Sequence, residues 1–109
     1  MYTSGIINEN IKLPEKCSSD NHVWHLFVIE TDNRNELQSY LSSLEIETSI
    51  HYPIPIHLQK AAKFLKYKKG DFPVSEKLAK TSLSLPVHEF INKKHVAHVV
   101  NTINKFYKL

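Results

Sequence analysis

His51-Tyr52-Pro53-Ile54-Pro55-Ile56-His57 is the stretch whose residue types best suit contact with a ligand. Two prolines two residues apart press their neighbours toward extended backbone. Such a segment can hold two imidazoles and a phenol in fixed places at a strand exit. A plainer reading stands beside it: Tyr52 packs, the prolines end an edge strand, and the histidines are solvated. Metal chelation by His51 and His57 is disfavoured, because six extended residues at about 3.1 Å each separate them by roughly 19 Å. His22 and His25 lie three apart in a strand and leave opposite faces, so His25 is expected to make a core or boundary hydrogen bond. His95 and His98 share a helix face, but that face turns away from the apolar stripe toward Lys105 and is expected to be solvated.

Other chemistry is thin. Seven lysines fall between residues 60 and 80 against only Asp71 and Glu76. They form either a basic patch for phosphate-bearing ligands or nucleic acid, or simply the polar sides of two surface helices. Only Phe64 and Tyr67 interleave them, too few for a base-stacking platform. Arg34 is the lone arginine, and the net charge is +3, so nucleic acid is not favoured. A single cysteine, Cys17, excludes an intramolecular disulfide and any multi-cysteine zinc site. Two glycines exclude a glycine-rich phosphate loop. No serine occupies a nucleophile elbow, and the carboxylates are scattered. The residues alone therefore supply no catalytic constellation, no cofactor-binding residue and no metal site.

The elements that must position the histidine-tyrosine-proline stretch follow from periodicity. At 109 residues, 41% hydrophobic and 23% charged, the chain has the length and balance of one globular domain. Residues 1–21 show no sustained period and lead into the domain, which spans 22–109. Val23 to Glu30 reads as a central strand. Leu37, Tyr40, Leu41 and Leu44 place a helix over about 34–44. Ile46, Thr48, Ile50 and Tyr52 alternate as a second strand, stopped by Pro53 and Pro55. Leu58, Ala61, Ala62 and Leu65 predict a short helix over 57–65. Pro73 opens another helix, with Val74, Leu78 and Ala79 as its apolar members. Leu83 to Leu85 is a brief strand, and Asn92 caps a last helix bearing Val96, Val99, Val100, Ile103 and Tyr107. The order β-α-β-α-α-β-α describes an α+β fold: a sheet of three to four strands packed with about four helices. The longest apolar run, Val23 to Ile29, is interrupted by His25 and is far too short to cross a membrane. Met1 to Pro14 lacks the pattern of a secretory signal. A cytoplasmic setting is expected.

Four segments, in order, resemble the C-terminal part of the DegT/DnrJ-type nucleotide-sugar aminotransferases, which use pyridoxal phosphate (PLP). They are His25 to Ile29, Ile46 to Gln59, Gly70 to Glu76 and Leu83 to Pro86, and the likeness covers about residues 20–109. The resemblance implies the small C-terminal domain of a fold-type I aminotransferase, with the large PLP-binding domain absent. In that family a large-domain lysine holds PLP as an imine and an aspartate holds its ring nitrogen protonated. No lysine here sits in such a motif, so the chain alone is expected to be inactive, with no PLP of its own. Matched residue by residue, His51, Tyr52 and His57 fall in the segment that approaches the nucleotide sugar, where they would meet sugar hydroxyls or diphosphate oxygens. The family's usual homodimers imply self-association through the exposed large-domain interface. An independent module that assembles with a large-domain partner is the alternative, and a small basic phosphate or nucleic-acid binder is another. Two departures stand out. Glu45 occupies a position where relatives usually have glycine, which predicts a strained or altered turn. The tyrosine-proline pair usual after Leu85-Pro86 is replaced by Val87-His88-Glu89-Phe90. Lys93 and Lys94 also oppose the dipole of the last helix.

Overall fold

A computed structural model describes residues 1–16 and 22–108; Cys17 lies outside the described residues. The elements are α1 (Tyr2–Gly5), β1 (Phe27–Glu30), α2 (Arg34–Ser43), α3 (Pro73–Thr81), β2 (Ser82–Leu85) and α4 (Lys93–Lys108). Two 3-10 stretches, Ile56–Leu58 and Lys60–Leu65, lie between α2 and α3. β1 and β2 pair antiparallel, with Phe27 opposite Leu85 and Ile29 opposite Leu83. Side chains alternate across a strand, so these four point to one face. There they meet Leu37 and Leu41 of α2 and Val96, Val99, Val100 and Ile103 of α4. Ile29, Leu37, Leu41, Leu83 and Ile103 are fully buried.

The fold class is α+β, but the expected sheet of three to four strands is corrected to two. Single antiparallel bridges flank the pair on either side, Lys12 to Glu30 and Ser49 to Ser84. The Ile46–Tyr52 alternation holds for Ile46, which is buried, and for Thr48 and Ile50, which are half-buried, but fails at Tyr52, which is exposed. It forms only one rung because Ile46 donates its N–H to Leu41 O, at 3.0 Å, and Pro53 and Pro55 have no N–H to offer. The expected strand over 23–30 shortens to Phe27–Glu30, and Val23 is 88% exposed. The expected helix over 57–65 is 3-10, and of its apolar set only Ala62 is buried. α3 starts at Pro73 as expected, yet it buries Ala79 and leaves Val74 and Leu78 outside. α4 matches its periodicity, and α2 buries Leu37 and Leu41 with Tyr40 half-buried, but it ends at Ser43 and leaves Leu44 exposed at its C-cap. Asn92 caps α4 through Oδ1, which accepts the His95 N–H at 2.9 Å.

Residues before β1 join the core, which their irregular spacing did not signal. Tyr2, Ile6 and Ile11 are buried, and the Tyr2 hydroxyl donates to Pro86 O at 2.7 Å. Burial pushes the Tyr2 phenol up to about 12. Burial also raises Tyr107, an effect that Asp32 and Glu36 add to and its hydrogen bond with Thr31 opposes. Arg34 is buried at the start of α2 and donates from Nη1 to Ala79 O at 3.1 Å and Ser82 O at 3.0 Å. It thereby closes orphan carbonyls at the end of α3, where a cation is also favoured by the dipole.

Candidate functional site

The segment after the Ser49–Ser84 rung forms one wall of an open groove of 400 Å³, opposite Phe72 and Leu78. His51 is tied to β2 by a 2.9 Å hydrogen bond between Nδ1 and Ser84 Oγ, which leaves its second ring nitrogen available. Tyr52 stands edge-on to that ring at 5.5 Å and is 66% exposed. His57 differs. Its side chain is only 7% exposed, and its ring rests on Phe72 at 4.8 Å, which in turn meets Tyr67 at 4.9 Å. His57 Nε2 makes no hydrogen bond and lies 3.7 Å from Glu76 Oε1. All three residues singled out from sequence therefore line one groove. Two present accessible polar atoms to it; the third belongs to its wall.

A second cleft, of 570 Å³, lies on the other side of His51. His25, His88, His95 and His98 line it together with His51, facing Glu45 and Glu47. His25 is exposed rather than placed at a core boundary, and His95 and His98, exposed as expected, share this concavity. Sequence spacing showed only that His95 and His98 share a face of α4; the convergence with His25, His51 and His88, which come from three other segments, is made by the fold. Among the described residues, no group of three or more His, Cys, Asp or Glu is arranged to hold a metal ion.

All thirteen lysines are exposed, and none lines either cleft. A lysine that captures an aldehyde must present its amine inside a pocket where the imine is shielded from water. The lysines of this chain do not fit that task, and no step through PLP is assigned to them.

Comparison with known proteins agrees with this architecture. The family model described as the DegT/DnrJ/EryC1/StrS aminotransferase family matches residues 3–104. The chain is 38% identical over 105 residues to a dTDP-3-amino-3,6-dideoxy-alpha-D-galactopyranose transaminase of Aneurinibacillus thermoaerophilus, covering 96% of this chain and 28% of that protein. It is 33% identical over 106 residues to a dTDP-3-amino-3,4,6-trideoxy-alpha-D-glucose transaminase of Streptomyces venezuelae, again 96% of this chain and 28% of the relative. The crystal structure of Streptomyces venezuelae DesV with a ketimine intermediate superposes with a TM-score of 0.92 at 32% identity, over 99% of this chain and 29% of that one. The chain thus spans little more than a quarter of the length of these relatives. From this match over nearly its whole length, the chain belongs to the DegT/DnrJ/EryC1/StrS aminotransferase family.

Proposed function

We propose that these residues are the C-terminal small domain of a PLP-dependent nucleotide-sugar aminotransferase, supplying a wall of the substrate cleft while the amino-transfer chemistry comes from a large domain. The observation that carries this reading is the pairing of an open groove, walled by His51 and Tyr52, with lysines that all lie outside it. The relatives are transaminases of dTDP-linked sugars by name, and the substrate class carried over is a nucleotide-linked keto sugar. His51, through its free ring nitrogen, and Tyr52, through its hydroxyl, contact sugar hydroxyls or diphosphate oxygens; His57 shapes the wall behind them. Alone, the chain binds no PLP and transfers no amino group.

Shape supports a missing partner. The radius of gyration is 15.6 Å, against about 13 Å for a self-contained domain of this length. Among the described residues, ten of the sixteen exposed large apolar side chains lie between Tyr52 and Leu78. A patch of that kind marks an interaction surface, and the large domain is the occupant in this reading. In its absence the same face drives self-association. The expected cytoplasmic setting belongs to the same reading; no helix among the described residues is long and apolar enough to cross a membrane.

A chimera tests it: this chain replaces the matching segment of the Streptomyces venezuelae transaminase. His51→Ala and Tyr52→Phe in the chimera should raise KM for the nucleotide sugar roughly tenfold, as loss of one charge-assisted or desolvated hydrogen bond does. The half-reaction with the amino donor should stay unchanged. An active chimera whose KM ignores both substitutions contradicts the assignment.

A further inference from the structure

Glu76 sits near the start of α3 with its carboxylate turned inward; the side chain is only 13% exposed. Both of its oxygens accept the Gly70 N–H, at 2.8 and 3.0 Å. A carboxylate has room for about four hydrogen bonds, and one shared N–H leaves it under-satisfied in a partly buried place. His57 Nε2 lies 3.7 Å from Oε1 and is itself without a hydrogen-bond partner. Two incompletely satisfied groups thus face each other across a gap about 0.9 Å longer than a charge-assisted hydrogen bond.

The pair lies where the 68–72 turn and the end of the Tyr52–Ile56 wall approach each other. Gly70 has φ +97, a left-handed conformation that suits glycine. The Asp71 carboxylate accepts the Lys68 N–H at 2.8 Å, closing the same turn. Phe72 follows directly and carries the His57 ring. On the other side, His57 ends the Tyr52–Ile56 wall of the groove. A carboxylate facing Nε2 favours the tautomer that carries its hydrogen there, so one side chain sets both the loop and the ring.

We propose that Glu76 is a positioning residue of the groove: its carboxylate fixes the 68–72 turn through Gly70 and, through His57, the Tyr52–Ile56 wall against α3. The role presumes that the groove is the substrate site read above, but the latch is measurable without any ligand. In the isotope-labelled 109-residue chain, ring nitrogen shifts should show His57 with hydrogen on Nε2, and Gly70 should have a slowly exchanging, downfield amide. Glu76→Gln keeps an oxygen for Gly70 but loses the charge. It should mix the His57 tautomers, speed Gly70 exchange at least threefold and shift Tyr52 and Ile54, while Ile29 and Leu83 in the sheet stay fixed. His57→Phe retains the aromatic contact with Phe72 and lacks the donor. It should disturb Tyr52 and Ile54 yet leave the Gly70 amide where it was. A His57 tautomer and Tyr52–Ile56 resonances that ignore Glu76→Gln overturn the latch, as does a Tyr52–Ile56 segment indifferent to His57→Phe. In the chimera, Glu76→Gln should raise KM for dTDP-glucose-derived keto sugar three- to tenfold with the donor half-reaction unchanged. A latch seen by resonance in the chain, beside an active chimera whose KM ignores His51→Ala, Tyr52→Phe and Glu76→Gln alike, sinks the substrate reading and leaves the latch standing; the converse sinks only the latch.

Discussion

Glu45→Gly should stabilise this protein, a direction opposite to that of most substitutions. Glu45 has φ 61, the left-handed region where a side chain costs about 1–2 kcal/mol. It holds that conformation because it is the first residue past the α2 C-cap, Leu44. The Glu45 N–H donates to Ser42 O and the Ile46 N–H to Leu41 O, each at 3.0 Å. These two bonds are the Schellman closure, and the buried Leu41 and Ile46 supply its accompanying apolar contact. Glycine removes the strain but loosens the unfolded chain by about 0.4–1 kcal/mol, leaving a net gain of about 0.5–1 kcal/mol. For a domain of this size that gain raises Tm by about 2–8 °C. The side chain is exposed, so no packing is lost. Urea and thermal melts of Glu45→Gly, with Glu45→Ala as control, give the answer. Alanine keeps the Cβ and should stay within about 0.5 kcal/mol of the parent. Equal gains from glycine and alanine would trace the effect to charge and refute the backbone argument, as would a glycine variant no more stable than the parent.

Arg34→Met keeps most of the buried stem but removes the donors that serve Ala79 O and Ser82 O; urea titration should show a loss of about 2–4 kcal/mol, and a loss below 1 would contradict the cap assigned to it. Alkaline pH should destabilise the fold. Tyr2 keeps its proton in the native state to about 12, against an ordinary value of 10.0, so its contribution is full below pH 10 and lost as pH climbs toward 12. Tyr2→Phe should flatten stability against pH over that window, with the raised Tyr107 accounting for the slope that remains; an unchanged slope would rule Tyr2 out.

Local signals were legible where one element satisfies itself. The stripes of α2 and α4, the Pro73 start of α3 and the Asn92 cap are all determined within a few residues, and each is present. The turn anomaly at Glu45 was visible through the family resemblance, because relatives usually have glycine there and a left-handed C′ position tolerates few other residues. What failed depended on partners far along the chain. Strand length is set by how many N–H and C=O groups the neighbour can offer. The Ile46–Tyr52 alternation therefore gave one rung against a four-residue β2. Val74 and Leu78 read as core because they are apolar, and they are exposed because these residues place nothing over them. At the groove, residue types marked His51, Tyr52 and His57 together, but only the fold separates two accessible groups from a buried one. The Glu76–His57 approach and the meeting of His95 and His98 with His25, His51 and His88 were invisible for the same reason: those partners are distant in sequence.

Absorbance and turnover of the 109-residue chain mixed with PLP, an amino donor and a nucleotide-linked keto sugar bear most directly on the central claim. They should be recorded before and after adding the separately expressed large-domain portion of a family relative. The chain alone should leave the spectrum of free PLP and transfer no amino group, with turnover appearing only once the large-domain portion is present. Transfer of an amino group by the chain by itself would contradict that claim.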